Sequence, residues 1–155
     1  MSTSIEQNLR THGIVLPDTA APRGNYVPVV IAGGLAWVAG QVPVKDGAIG
    51  WRGLVGRDLS VEDGQAAARQ CALNVVAQLK RALDGDLERV RRVVKVGGFV
   101  ACGPDFTEHP AVMNGASDLL VQVFGEAGRH ARFAVGAASL PLGAAVEVDA
   151  VFELR

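Results

Sequence analysis

Val90-Arg91-Arg92-Val93-Val94-Lys95-Val96-Gly97-Gly98-Phe99-Val100 is the stretch on which the fold turns. Val93, Val94, Val96, Phe99 and Val100 put apolar groups on both sides of a pleat, so the segment reads as a strand buried on both faces, and Gly97-Gly98 marks a bulge or a close backbone approach. A helical pattern stands on either side of it. Upstream, Ser60 with Asp63 three residues later makes a helix start, and Ala68, Cys71, Ala72, Val75, Val76, Leu79 and Leu83 recur at helical spacing until Asp84-Gly85. Downstream, Pro110 opens a second amphipathic helix with Val112, Ala116, Leu119, Leu120, Val123 and Phe124 in one stripe, ended by Gly125 and Gly128.

Working outward, Tyr26 to Ala32 and Leu35 to Ala39 read as a hairpin joined at Gly33-Gly34, with Pro28 placing its first strand at an edge. Gly40 to Gly56 reads as loop or irregular strand. Ala131 to Ala138 and Ala145 to Leu154 read as two closing strands, joined as a hairpin at Leu140-Pro141-Leu142-Gly143. The order is β-β-α-β-α-β-β, an α+β two-layer sandwich with two long helices on one face of a mixed sheet. Because the middle strand is apolar on both sides, the other face needs a cover, and a second subunit is the expected one.

The chain has 155 residues, 49% of them hydrophobic, enough for one domain spanning residues 1–155, with an accessory N-terminal helix and connector over residues 1–23. A formal charge of -1 provides no general attraction for nucleic acid or an anionic membrane. Gly, Asn, Arg and Asp interrupt every apolar run before the roughly 20 residues that a membrane span needs. Nothing in the first thirty residues reads as a secretory leader, and Cys71 and Cys102 are the only cysteines, so a cytoplasmic chain with reduced thiols is expected. His12, His109 and His130 lack metal-ligand spacing, Cys102 has no obvious activating base, and no phosphate-binding glycine pattern is present.

The chemistry concentrates in His130-Ala131-Arg132-Phe133-Ala134-Val135-Gly136. A guanidinium cannot shed its charge and is rarely placed among apolar residues without a partner, so Arg132 is the first candidate for an anionic ligand. The alternative is an ion pair to Asp149 or Glu153 of a neighbouring subunit. Alternation along the last strand gives Val146, Val148, Ala150, Phe152 and Leu154 to the helices and leaves Glu147, Asp149 and Glu153 on the opposite side. On the hairpin register Arg132 shares that side with Glu147, about 13 Å away at ~3.3 Å per residue, so the two are expected to flank one cavity.

These segments resemble the RidA/YjgF family of reactive-intermediate deaminases over most of the chain after Arg23. Gly24-Asn25-Tyr26-Val27 is similar to the family's Gly-Pro-Tyr entry and Ala39-Gly40-Gln41-Val42-Pro43 to its Ser-Gly-Gln-x-Pro turn. Ala131-Arg132 through Leu140-Pro141 to Val146-Glu147-Val148 is similar to its C-terminal signature. The resemblance implies a chorismate-mutase-like fold, a homotrimer with clefts between subunits, and cofactor-independent hydrolysis of enamines or imines to 2-keto acids and ammonia. By the same resemblance Arg132 grips a small carboxylate, Glu147 handles the attacking water and Tyr26 closes the cleft. Ala39 and Ala134 stand where the family has Ser and Cys, which makes the cleft roomier and suits a substrate larger than 2-aminoacrylate. Asn114 and His130 join the candidate substrate-binding set, with Ser117 beside them. A non-catalytic carboxylate-binding trimer is the rival reading. Ribonuclease or translation-inhibitor activity, labels that some members carry, is disfavoured by the charge and the few aromatics.

Overall fold

Ser60 accepts from the Asp63 backbone N–H while the Asp63 carboxylate accepts from the Ser60 N–H, a reciprocal cap that starts the longest helix of the protein, α2 (Val61–Ala82). The computed structural model describes residues 3–155, so the first two residues of the accessory segment lie outside the described residues. The elements in chain order are α1 (Ile5–Thr11), β1 (Val29–Ala32), β2 (Leu35–Gln41), β3 (Val44–Lys45), β4 (Ala48–Ile49), α2, β5 (Val90–Ala101), α3 (His109–Phe124), β6 (Ala131–Ala137) and β7 (Val146–Leu154). Both long helices lie where the apolar spacing predicts them. The Gly40–Gly56 segment, expected to be irregular, holds the small β3–β4 hairpin.

The main sheet runs β1-β2-β7-β5-β6. β5 is flanked by β7, antiparallel, and by β6, parallel. The hairpin expected between β6 and β7 is therefore not formed. Residues 138–145 instead carry the chain across the end of β5, a span of two strand spacings or about 10 Å. Glu147 consequently pairs with Phe99 rather than with Gly136.

α2 and α3 cover one face of the sheet. Ala36, Val38, Val93, Val96, Val100, Val146, Val148 and Phe152 point into them and are buried with Cys71, Val75, Leu79, Val112, Met113 and Leu119. A side chain on Gly98 would run into Met113 of α3, and one on Gly97 would run into Asp149 and Phe133 on the other side, so both glycines mark close approaches. The opposite face is bare in the single chain. Val30, Trp37, Phe99, Phe133 and Val135 stand exposed on it, with Trp37 at 52%. β5 thus has its apolar groups on both sides, as its sequence indicates, but one of those sides has no cover within the chain.

Candidate functional site

Arg132 sits on β6 opposite Val96, and its side chain goes to the helix side of the sheet rather than the bare side. One guanidinium nitrogen, Nη1, donates to Asn114 Oδ1 at 3.0 Å and to Ser117 Oγ at 3.1 Å, and Nη2 donates to the Pro110 carbonyl at 3.4 Å. All three acceptors belong to α3, between its first turn and its middle. Both Nη1 hydrogens are committed, leaving Nε–H and one Nη2–H, the pair that can make a side-on fork to a carboxylate. Among the described residues no carboxylate lies within salt-bridge distance of Arg132.

His130 stands behind this arrangement. Its Nδ1 donates to the Gly128 carbonyl at 2.6 Å, which leaves Nε2 to accept from the Ser117 hydroxyl at 2.9 Å. Burial lowers the His130 pKa, against the raising effect of the Gly128 bond and with a smaller lowering from Arg132, so the neutral tautomer required by this chain of bonds is the favoured one. Sequence reasoning assigned His130 to the ligand; the structure places it against Ser117, one bond removed from the guanidinium. Asn114, a candidate for the ligand, accepts from Arg132, and Ala134 lies two residues along the same strand face, packed against the core.

Glu147 and Arg132 do not share a face, which corrects the hairpin-based expectation. Glu147 alternates with the buried Val146 and Val148 and stands on the side of Asp149. Its Cα lies two strands and three residues from that of Arg132, about 14 Å, with the sheet between the side chains. Its carboxylate lies over Gly40, where a Cβ would come within 2.9 Å of Glu147 Oε1, so the glycine of the Ala39-Gly40-Gln41 turn makes room for it. Burial, with the Asp149 charge as a second cause, pushes the Glu147 pKa up. Asp149 is raised in turn by burial, partly opposed by backbone hydrogen bonds and by Lys95.

A cavity of about 380 Å³ joins Glu147, Gly40 and Tyr26 to Asn74 and Gln78 of α2, with the 18–23 connector as one wall. Ala39, next in sequence to Gly40, is half-buried, its N–H bonded to the Pro28 carbonyl and its carbonyl to the Gln41 amide. The predicted residues therefore form two groups, Arg132, Asn114, His130 and Ala134 on the helix side at the β6 edge, and Glu147 and Tyr26 around this cavity, with Ala39 on β2 beside the cavity-lining Gly40.

Two features escaped the sequence. Cys102 Sγ lies 3.4 Å from His109 Nε2, so the thiol does have an imidazole neighbour, although burial raises its pKa. Gln70, Asn74 and Gln78 are all buried on α2. Three amides at four-residue intervals on an otherwise apolar helix face were the available signal for a polar function there. No helix among the described residues is long and apolar enough to cross a membrane.

Residues 6–154 match the family model described as "YjgF/chorismate mutase-like, putative endoribonuclease". The chain is 55% identical over 155 residues to Protein TCP17 of Trypanosoma cruzi, covering 99% of this chain and 96% of that protein. It is also similar to the crystal structure of Atu1372 from Agrobacterium tumefaciens, a protein of unknown function, at 52% identity and a TM-score of 0.90, covering 97% of this chain and 92% of that one. The YjgF gene product of E. coli has 26% identity and a TM-score of 0.64, covering 89% of this chain and 94% of that one.

Proposed function

Because this chain belongs to the YjgF/RidA family, we propose that it is a homotrimeric, cofactor-independent deaminase that hydrolyses enamine or imine intermediates to 2-keto acids and ammonia in clefts between subunits. The observation that carries this reading is the division of the candidate residues between two faces of one sheet. A substrate of a few atoms cannot bridge about 14 Å through a sheet, so Arg132 and Glu147 act on one molecule only if they come from different protomers. The exposed row of Val30, Trp37, Phe99, Phe133 and Val135 supports the same assembly, since a face this apolar is normally covered.

In that cleft the free Nε–H and Nη2–H of Arg132 hold the substrate carboxylate side-on, and Asn114 and Ser117 keep the guanidinium from swinging. The imine carbon is thereby fixed in front of Glu147 of the adjoining protomer. With the imine entering protonated on nitrogen, Glu147 takes a proton from water as the water oxygen bonds to the carbon and the C=N electron pair moves to nitrogen, giving a neutral carbinolamine. Glu147 then returns that proton to the amine nitrogen, and as the C–N bond breaks and ammonia leaves, Glu147 takes the hydroxyl proton and the carbonyl forms. An elevated Glu147 pKa suits a group that both accepts and returns a proton. Tyr26, half exposed beside the cavity, closes the cleft over the substrate.

A rival reading, a carboxylate-binding trimer without turnover, draws support from Ala39 and Ala134, which offer no polar side chain to the reaction. The test is 2-keto acid formation from imines generated by an amino-acid oxidase. We expect a rate above the uncatalysed one that Arg132→Ala abolishes; saturable carboxylate binding with no such rate for any imine overturns deamination in favour of the binding module.

A further inference from the structure

Both ring nitrogens of His130 are committed, each to a different kind of partner. Nδ1 lies 2.6 Å from the Gly128 carbonyl, which can only accept, so the Nδ1 proton stays in every charge state of the ring. Any proton that His130 gains or loses is therefore exchanged at Nε2. That atom lies 2.9 Å from Ser117 Oγ, and the same Oγ lies 3.1 Å from Arg132 Nη1. One hydroxyl thus joins the titrating nitrogen to the guanidinium and keeps Nε2 and Nη1 within about 6 Å of each other.

The hydroxyl serves either state of the ring. With His130 neutral, Ser117 donates to Nε2 and accepts from Nη1. With His130 protonated, Nε2–H and Nη1–H each take one lone pair of Oγ, and the hydroxyl proton turns to a carbonyl of the preceding helical turn, as serines in helices do. The bridge survives protonation, and what changes is the charge behind Arg132. Burial, with the Arg132 charge adding to it, opposes that protonation in the empty site. The other charged groups nearby are engaged elsewhere. Arg129 pairs with Glu126, Arg92 of β5 holds the Arg129 carbonyl, Lys95 of β5 lies over the Phe133 ring, and Asp118 of α3 is exposed to water.

We propose that His130 is a proton-controlled positioning residue: it takes up a proton at Nε2 when a carboxylate occupies the free edge of Arg132, and in that form holds the carboxylate more tightly. This rests on the proposed role of Arg132 as a carboxylate clamp and not on turnover. A bound carboxylate cancels the charge that opposes protonation, and by reciprocity the imidazolium adds positive potential where the anion sits. Affinity for a carboxylate therefore rises as pH falls through the window in which His130 takes its proton, and is constant above that window. Release of a 2-keto acid is slowed in acid by the same coupling.

The test uses the full-length protein, isotope-labelled at the histidine Cε1 positions and titrated by NMR from about pH 5 to 8 with and without saturating pyruvate. His12, His109 and His130 are the only histidines, and His130→Gln identifies the signal of interest. Pyruvate is expected to raise the His130 midpoint and leave that of the exposed His12 unmoved, and methyl pyruvate, which has no carboxylate, is expected to move neither. Calorimetry should find pyruvate bound roughly threefold or more tightly at the acid end, the ratio that the midpoint shift itself implies. Glu147 of the adjoining protomer is the other group in the proposed cleft whose protonation favours an anion. The affinity series is therefore repeated in Glu147→Gln, where the rise should persist, and in Glu147→Gln with His130→Gln, where it should vanish. Pyruvate binding with an unmoved His130 midpoint, or a rise that survives the loss of His130, overturns the proton coupling and leaves the clamp standing. No pyruvate binding at any pH overturns both. A raised midpoint without imine turnover rejects deamination and leaves the coupling in place.

Discussion

Mixing two inactive variants tests the divided site directly. Arg132→Ala removes the carboxylate fork, and with each charge-assisted hydrogen bond contributing roughly 1.5–3 kcal/mol, two such bonds correspond to about a 10²- to 10⁴-fold loss. Glu147→Gln leaves the water without a base and is expected to lose a similar range, since a positioned acid or base is typically good for about 10²–10⁴. Each homotrimer is then nearly silent. In a cyclic trimer holding both kinds of subunit, each cleft takes Arg132 from one protomer and Glu147 from the next, so one cleft in every mixed trimer regains both residues. Trimers assembled by co-expression with two different affinity tags and purified through both should therefore show about one third of wild-type 2-keto acid production. If Arg132 and Glu147 served one substrate within a single protomer, no mixture could exceed its parents, and activity at the parental level in verified mixed trimers refutes the reasoning.

Glu147→Gln should also raise the thermal midpoint at neutral pH. The folded state raises the Glu147 pKa, so it binds that proton more tightly than the unfolded chain does, and the ionised group costs stability that sets in above the unfolded pKa of about 4.3. The gain should disappear in melts recorded below the ordinary carboxylate range, and a gain independent of pH contradicts the assignment. Ser117→Ala removes one donor–acceptor contact to Arg132 and the partner of His130, and steady-state kinetics should show KM raised roughly tenfold with kcat altered less. Gly115→Ala puts a methyl into the Gln65 backbone of α2, where the two helices meet; urea titration should show a loss of about 1–3 kcal/mol or more, despite the better helix propensity of Ala. Trp37→Asp sets a charge on the bare sheet face, and sedimentation should show a monomer with helical circular dichroism intact and the imine activity gone.

Local signals in the chain were enough for most of the fold. The Ser60–Asp63 cap, the apolar stripes of α2 and α3, and the Gly33-Gly34 turn each depend on residues close in sequence, and each lies where its spacing puts it. The pairing of β6 and β7 was different, because the order of strands in a sheet depends on contacts between distant segments. Residues 138–145, with Pro141 and Gly143 in their middle, suit a hairpin as well as a crossing over the end of β5, and composition does not distinguish them. That one ambiguity reversed the face of Arg132. The identity of Arg132, Asn114 and Glu147 as notable residues was readable from their chemistry and motif spacing. The Ser117–His130 bond behind Arg132 and the Cys102–His109 contact required coordinates, since each joins residues whose proximity no periodicity encodes.

The position of β5 between β7 and β6 connects these results. With β7 on one side of it and β6 on the other, the two strands carrying the charged candidates are never neighbours, and side-chain alternation sends Arg132 toward α3 and Glu147 toward the bare face. The same bare face carries Phe99 and Phe133, whose rings meet edge-on 5.4 Å apart, so the surface that needs a partner and the carboxylate that needs a substrate lie on one side of the sheet. A partner that covers the aromatic row also strips water from the surroundings of Glu147 and Asp149, a desolvation that favours their protonated forms, while a guanidinium brought opposite Glu147 acts the other way. On the proposed assembly the proton chemistry of Glu147 is coupled to association by position: the isolated protomer has the carboxylate, and a second protomer is what would bring a guanidinium opposite it and exclude water around it.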